Sequence, residues 1–123
     1  MIASLSPAQI EYLRSQGLGR LATVRPDGSP QNNPVGYRYN EALGTIDIAG
    51  YNMGASQKFR NLAKEERVSF VVDDVEPGPP RVVRFLEIRG TAQALRDIET
   101  YLPDASPELI RITPVRVIAY GIE

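Results

Sequence analysis

Two runs near the middle of the chain, "RVSFVVDDV" at 67–75 and "VVRFLEIRGTAQAL" at 82–95, limit its fold more than any other feature. The first is dense in β-branched residues, which suit a pleated, half-buried surface and read as a central strand. The second is a long strand, with alternation visible at Phe85, Glu87 and Arg89. The segment between them, "EPGPPR", is a Pro/Gly loop that continues neither strand. Long strands joined by so short a connection pair antiparallel, and the rest of the chain repeats the theme.

Upstream, "GRLATVRPDGSPQNNPVGYRYN" reads as a hairpin. Leu21, Thr23 and Arg25 alternate with Ala22 and Val24, and "PDG" at 26–28 supplies a turn in which Gly accepts a positive φ. The return arm carries Pro34, so it belongs at a sheet edge or at a bulge. "NEALG" at 40–44 is the next turn and "TIDIAGY" at 45–51 a third strand; a last strand lies near 115–122. A helix opens the chain, with Ser6 as N-cap, Pro7 in the first turn and Gln9 closing a capping box. A second helix follows Ser56, with Phe59, Leu62 and Ala63 on its apolar side. The expectation is a mainly β, α+β chain: a six-stranded antiparallel sheet closed as a small barrel, two or three short helices, and a single domain over residues 1–123.

Composition narrows the chemistry. The sequence has no His and no Cys, which removes Ser-His and Cys-His catalysis, zinc ribbons and disulfides. A net charge of −1 offers no basic field for nucleic acid, and no apolar run is long enough to span a membrane. The N-terminus lacks the basic-then-apolar pattern of a signal peptide, so a cytoplasmic location is expected. A chain so poor in groups that titrate near neutrality, if it is an enzyme, relies on a bound cofactor; no catalytic side chain and no metal ligand set is assigned.

The stretch "GYNMGASQKFRNL" is the leading candidate for a site. It puts Lys58 in the first turn of a helix, where partial positive charge favours an acid instead. An anion bound at the helix start would explain the lysine, with loop amides, the Ser56 hydroxyl and Asn61 on the same side. The stretch is not a Walker loop, and a solvated lysine beside a turn is the plain alternative. In "PQNNPVGY", Asn32 and Asn33 sit in a strand that Asn disfavours, and only one of them can face the interior, where its amide could bond a planar heterocycle; a solvent-exposed edge is the alternative. Arg81, Arg84, Arg89, Arg111 and Arg116 could receive an anionic tail or pair outward with Glu87, Glu108 or Asp97. Asp73–Asp74 reads as a strand-terminal turn rather than an acidic dyad.

In order, "GRLATVRPDGSPQNNPVGY", "GASQKFRNL", "RVSFVVDD", "EIRGTAQAL" and "IRITPVRVIAYGI" resemble the split-barrel flavin-binding superfamily, over nearly the whole chain. The similarity is to its pyridoxamine 5′-phosphate oxidase-like group, the F420-dependent oxidoreductases of actinobacteria. The resemblance implies a six-stranded split barrel that forms a homodimer with cofactor sites at the interface. It implies that Ser56, Lys58 and Asn61 bind the cofactor phosphate. Gln31, Asn32, Asn33, Pro34 and Val35 would lie along the ring, flanked by Ile48, Gly50 and Tyr51. It further implies hydride transfer between F420, or alternatively FMN, and a small conjugated substrate, with a non-catalytic flavin or haem-type carrier as the competing function. The missing histidine and short length make vitamin B6 oxidation the weaker expectation.

Overall fold

The computed structural model describes residues 2–122. Helix α1 (Pro7–Ser15) begins with the expected capping box: the Ser6 hydroxyl accepts from the Gln9 amide and the Gln9 side chain accepts from the Ser6 amide. Strands β1 (Gly19–Val24) and β2 (Pro30–Val35) form the first hairpin, with Gly28 at φ +88° in its turn. Then come β3 (Arg38–Asn40), β4 (Thr45–Ile48), a 3-10 turn (Met53–Ala55), α2 (Gln57–Asn61), β5 (Arg67–Glu76), β6 (Val82–Arg96) and β7 (Glu108–Tyr120).

All strand pairings are antiparallel, in one sheet ordered β2-β1-β5-β6-β7-β4-β3. The mainly β reading holds, but among the described residues the strands number seven rather than six. The difference arises at Gly36–Tyr37, where the return arm of the hairpin leaves β1 and starts again as β3 against β4. Tyr37 marks the break: its hydroxyl donates to the Leu13 and Gln16 carbonyls at the end of α1, and its ring meets Phe70 edge-on at 5.1 Å. Burial pushes that hydroxyl up to about 12, so it stays a donor.

This break closes the sheet. Its two outermost strands, β2 and β3, are joined only by Gly36 and Tyr37. Laid flat, a sheet of this width would hold its edges about 29 Å apart, at about 4.8 Å per strand. The link spans at most about 11 Å. The sheet must therefore curl until its edges meet, and the inward residues Leu21, Phe70, Val72, Leu86, Ile88, Ile110, Ile112, Ile46 and Ile48 fill the interior with exposures of 0–1%. Pro34 lies on the edge strand, as a residue without an amide donor should.

Two polar features shape the shell. Asp73 and Asp74 do not end a strand, because β5 continues to Glu76. Asp74 takes two bonds from Arg84 (3.0 and 2.7 Å) and one from the Tyr12 hydroxyl (2.9 Å), which ties α1 to β5 and β6. The Arg84 bonds hold its carboxyl below the usual aspartate range, with Tyr12 adding to the effect. The pairing of β6 with β7 shifts register between Arg89 and Gly90, opposite Pro114, a bulge that bends both strands around the barrel. Among the described residues, no helix is long and apolar enough to cross a membrane.

Candidate functional site

Helix α2 is five residues long and packs against β1 and the 3-10 turn, with Phe59 in the core at 1% exposure. Ser56 caps it; the hydroxyl accepts from the Phe59 amide (3.4 Å) and donates to the Met53 carbonyl (2.6 Å). The preceding loop does not aim its amides at an open anion site. Met53 donates to Ser106 Oγ and Gly54 to Glu108 Oε1, each at 2.9 Å, so side chains reaching over from the far end of the chain already fill that cradle. The free donors at this helix start are the Gln57 and Lys58 amides and the Lys58 ammonium. Lys58 is half-buried and makes no hydrogen bond or ion pair among the described residues, and no acid lies in the first turn to neutralise it.

Asn61, three residues on, is fully buried at 0% exposure and turned inward. Its amide nitrogen donates to Thr23 Oγ1 (2.9 Å) and Gln31 Oε1 (3.0 Å), while its oxygen accepts from Gln57 Nε2 (2.7 Å). Both amide hydrogens are thus committed within the protein, and whatever Asn61 does for a ligand passes through these partners. Gln31 in turn donates to Asn33 Oδ1 at 2.9 Å. The pairing of Thr23 with Gln31 and Leu21 with Asn33 puts these side chains on one face of the β1–β2 hairpin. The structure therefore joins Gln31, Asn33 and Asn61 in one polar chain and brings in Thr23 and Gln57, which the sequence reading missed. Gln57 had a signal: it lies four residues before Asn61, one turn away on a helix.

The other expected residues are dispersed. Asn32 and Pro34 point outward and are exposed, so Asn33 is the inward member of the asparagine pair. Val35 (6%) and Ile48 (1%) have their side chains in the core. The Gly50 carbonyl accepts from Ser106, and Tyr51 stands out from the surface at 71% exposure. Truncating Asn61 to alanine strands Thr23, Gln31 and Gln57 together. We expect a loss of about 1–3 kcal/mol, read as a lower urea midpoint with an unchanged slope.

Among the arginines, Arg84 and Arg89 pair with Asp74 and Glu87. Arg111 instead clasps Asp47, a partner sequence reading did not assign, at 3.1 and 3.2 Å. Asp47 is 1% exposed and also accepts from Asn40 Nδ2 (3.0 Å) and Thr45 Oγ1 (2.9 Å). Beside it Arg38 lies over the Tyr101 ring at 5.0 Å, and the Tyr101 hydroxyl accepts from the Ala49 amide, so the segment before β7 is fastened over β4.

A family model described as pyridoxamine 5′-phosphate oxidase matches residues 5–119. A Streptomyces rimosus protein named 5a,11a-dehydrotetracycline/5a,11a-dehydrooxytetracycline reductase is 53% identical over 116 residues, covering 94% of this chain and 82% of that one. Among solved structures, a conserved hypothetical protein from Mycobacterium tuberculosis superimposes with a TM-score of 0.74 at 22% identity, over 97% of this chain and 86% of that one. An FAD-binding protein from Mycobacterium smegmatis gives 0.70 at 20% identity, over 96% and 97%. A protein titled F420 reductase gives 0.66 at 24% identity, over 92% and 98%. These structural likenesses carry the fold.

Proposed function

The chain belongs to the pyridoxamine 5′-phosphate oxidase family, and from that premise we propose that it is an oxidoreductase using the deazaflavin F420, with FMN as the alternative, to reduce a small conjugated substrate. The relative at 53% identity, named as a dehydrotetracycline reductase, supports the reaction class and a conjugated substrate. The neighbours titled F420 reductase and FAD-binding protein support a flavin-type ring.

The single observation that carries the reading is the half-buried, unpaired Lys58 at a helix start that lacks any acid. The Lys58 ammonium is open to solvent and to a ligand, and a phosphate is the anion that a lysine and two adjacent amides fit. Lys58 and the Gln57 and Lys58 amides would hold the phosphate, Ser56 would shape the turn, and Gln31 and Asn33 would face the ring. When bound, the cofactor supplies two-electron hydride chemistry. The protein's part is to grip the tail, orient the ring and shield it from water.

A homodimer with sites at its interface goes with this proposal. The outer face of β5–β7 exposes Val75 (45%), Val83 (52%) and Tyr120 (61%), with Phe85 stacked on Tyr120 at 5.8 Å, an apolar stripe suited to a second copy.

Titration of the purified protein with F420 and with FMN, followed by fluorescence, tests the cofactor. Binding of one of them well below millimolar is expected, and binding of neither removes the proposal. Lys58→Ala should weaken cofactor binding by roughly 10- to 100-fold, the worth of a charge-assisted contact, and leave thermal stability nearly unchanged. An unchanged affinity would release Lys58 from this role.

A further inference from the structure

We infer that Asn33 presents its amide N–H group to a hydrogen-bond acceptor on the edge of the bound ring, and that Arg60, Gln57, Asn61 and Gln31 are positioning residues that fix this polarity. The inference rests on the cofactor reading above and deepens it. The observation is a head-to-tail chain of side chains. Arg60 Nη2 donates to Gln57 Oε1 (2.9 Å), Gln57 Nε2 to Asn61 Oδ1 (2.7 Å), Asn61 Nδ2 to Gln31 Oε1 (3.0 Å), and Gln31 Nε2 to Asn33 Oδ1 (2.9 Å).

The direction of the chain is set at its head. An amide can turn over and exchange donor for acceptor, but a guanidinium can only donate. Arg60 therefore holds the Gln57 oxygen, which turns the Gln57 nitrogen toward Asn61, and the same logic passes through Asn61 and Gln31. Thr23, whose hydroxyl takes the second Asn61 hydrogen, fits the same orientation. The last free group is Asn33 Nδ2, which has no acceptor among the described residues. No described side-chain nitrogen or oxygen is both buried and unpartnered, so this donor, although on the inward face of β2, is within reach of solvent and of a ligand.

The chain begins beside the phosphate cradle, because Gln57 immediately precedes Lys58, and ends on the edge strand β2. Hydrogen bonds in series polarise one another, and a cation at the head strengthens the donor at the tail. Such a donor suits a carbonyl oxygen or ring nitrogen that gains negative charge when the ring takes up electrons. The ligand class implied is a planar heterocycle with an acceptor edge, held at the opposite end from its phosphate.

Gln31→Glu tests this with little change of shape. Glutamate only accepts, so one oxygen keeps the Asn61 bond and the other draws the Asn33 N–H inward, turning the Asn33 carbonyl outward. The probes are FMN with riboflavin, or F420 with its phosphate-free deazariboflavin, according to which cofactor the wild type binds. Gln31→Glu should weaken both members of the pair about tenfold, whereas Lys58→Ala should weaken only the phosphorylated one. Asn33→Ala should match Gln31→Glu, and the double variant should bind no worse than Asn33→Ala alone, since Gln31 acts through Asn33. Additive losses, or an unchanged affinity for the phosphate-free ring, would overturn the inference while leaving the cofactor reading standing. Failure of the wild type to bind either cofactor would sink both. If Gln31→Glu does not fold, the loss of ring affinity in Asn33→Ala decides the matter.

Discussion

Asp47→Ala should lower the unfolding free energy by about 3–5 kcal/mol, the range for removing one member of a buried ion pair. Asp47 is almost wholly enclosed and is the common acceptor for Arg111, Asn40 and Thr45, with an Arg38 nitrogen 4.0 Å away. Truncation leaves a guanidinium without its partner under the segment that covers β4. At roughly 4 °C or more per kcal/mol for a chain of this size, the melting temperature should fall by more than ten degrees. The pH dependence has a definite sign. Burial pushes the Asp47 carboxyl up, but the bonds from Arg111, Asn40 and Thr45 outweigh it, and the net displacement is downward. A carboxyl with a depressed folded-state pKa contributes stability above its unfolded value and loses it as pH falls through the folded one. The wild type should therefore lose stability more steeply than Asp47→Ala below about pH 4. Urea midpoints at neutral pH and near pH 3 measure both effects, and parallel acid losses in the two proteins would show that Asp47 is not the group involved.

Gly90→Ala should cost about 3 kcal/mol. A Cβ at residue 90 would lie 2.1 Å from the Thr113 carbonyl oxygen and 3.0 Å from its carbon, both backbone atoms. A side chain can swing away from such a clash, but here β7 itself must move, at the point where the register with β6 shifts. Gly17→Ala is the control: a Cβ there meets nothing within 4 Å, and the change should stay within about 0.5 kcal/mol. Equal stability losses in the two variants would refute the steric argument.

Much of this fold is legible because its signals are local. The capping box at Ser6 and Gln9, the turn glycines Gly28 and Gly44, and the β-branched run of β5 each act within a few residues. The seventh strand is not legible, because the break at Tyr37 depends on carbonyls of α1, more than twenty residues back. The site divides the same way. Lys58 announces itself through the wrong charge in a helix's first turn, a purely local conflict. That Asn61 faces inward, and that Glu108 and Ser106 occupy the loop amides, follow from contacts between 30 and 54 residues apart. The sense of an amide chain cannot be read from residue types at all, since Asn and Gln donate and accept equally well until a neighbour chooses for them.

The two-residue link at Gly36–Tyr37 also bears on how this chain avoids unwanted self-association. A sheet with open rims invites another molecule to add a strand, the first step toward fibrils. Here the rims are leashed to each other. One carries Pro30 and Pro34, which offer no backbone hydrogen to a newcomer, and the other is only three residues long. Lengthening the leash with flexible residues would give the rims room to part, and the first sign should be slow growth of β-rich aggregates in a protein whose native fold is otherwise intact.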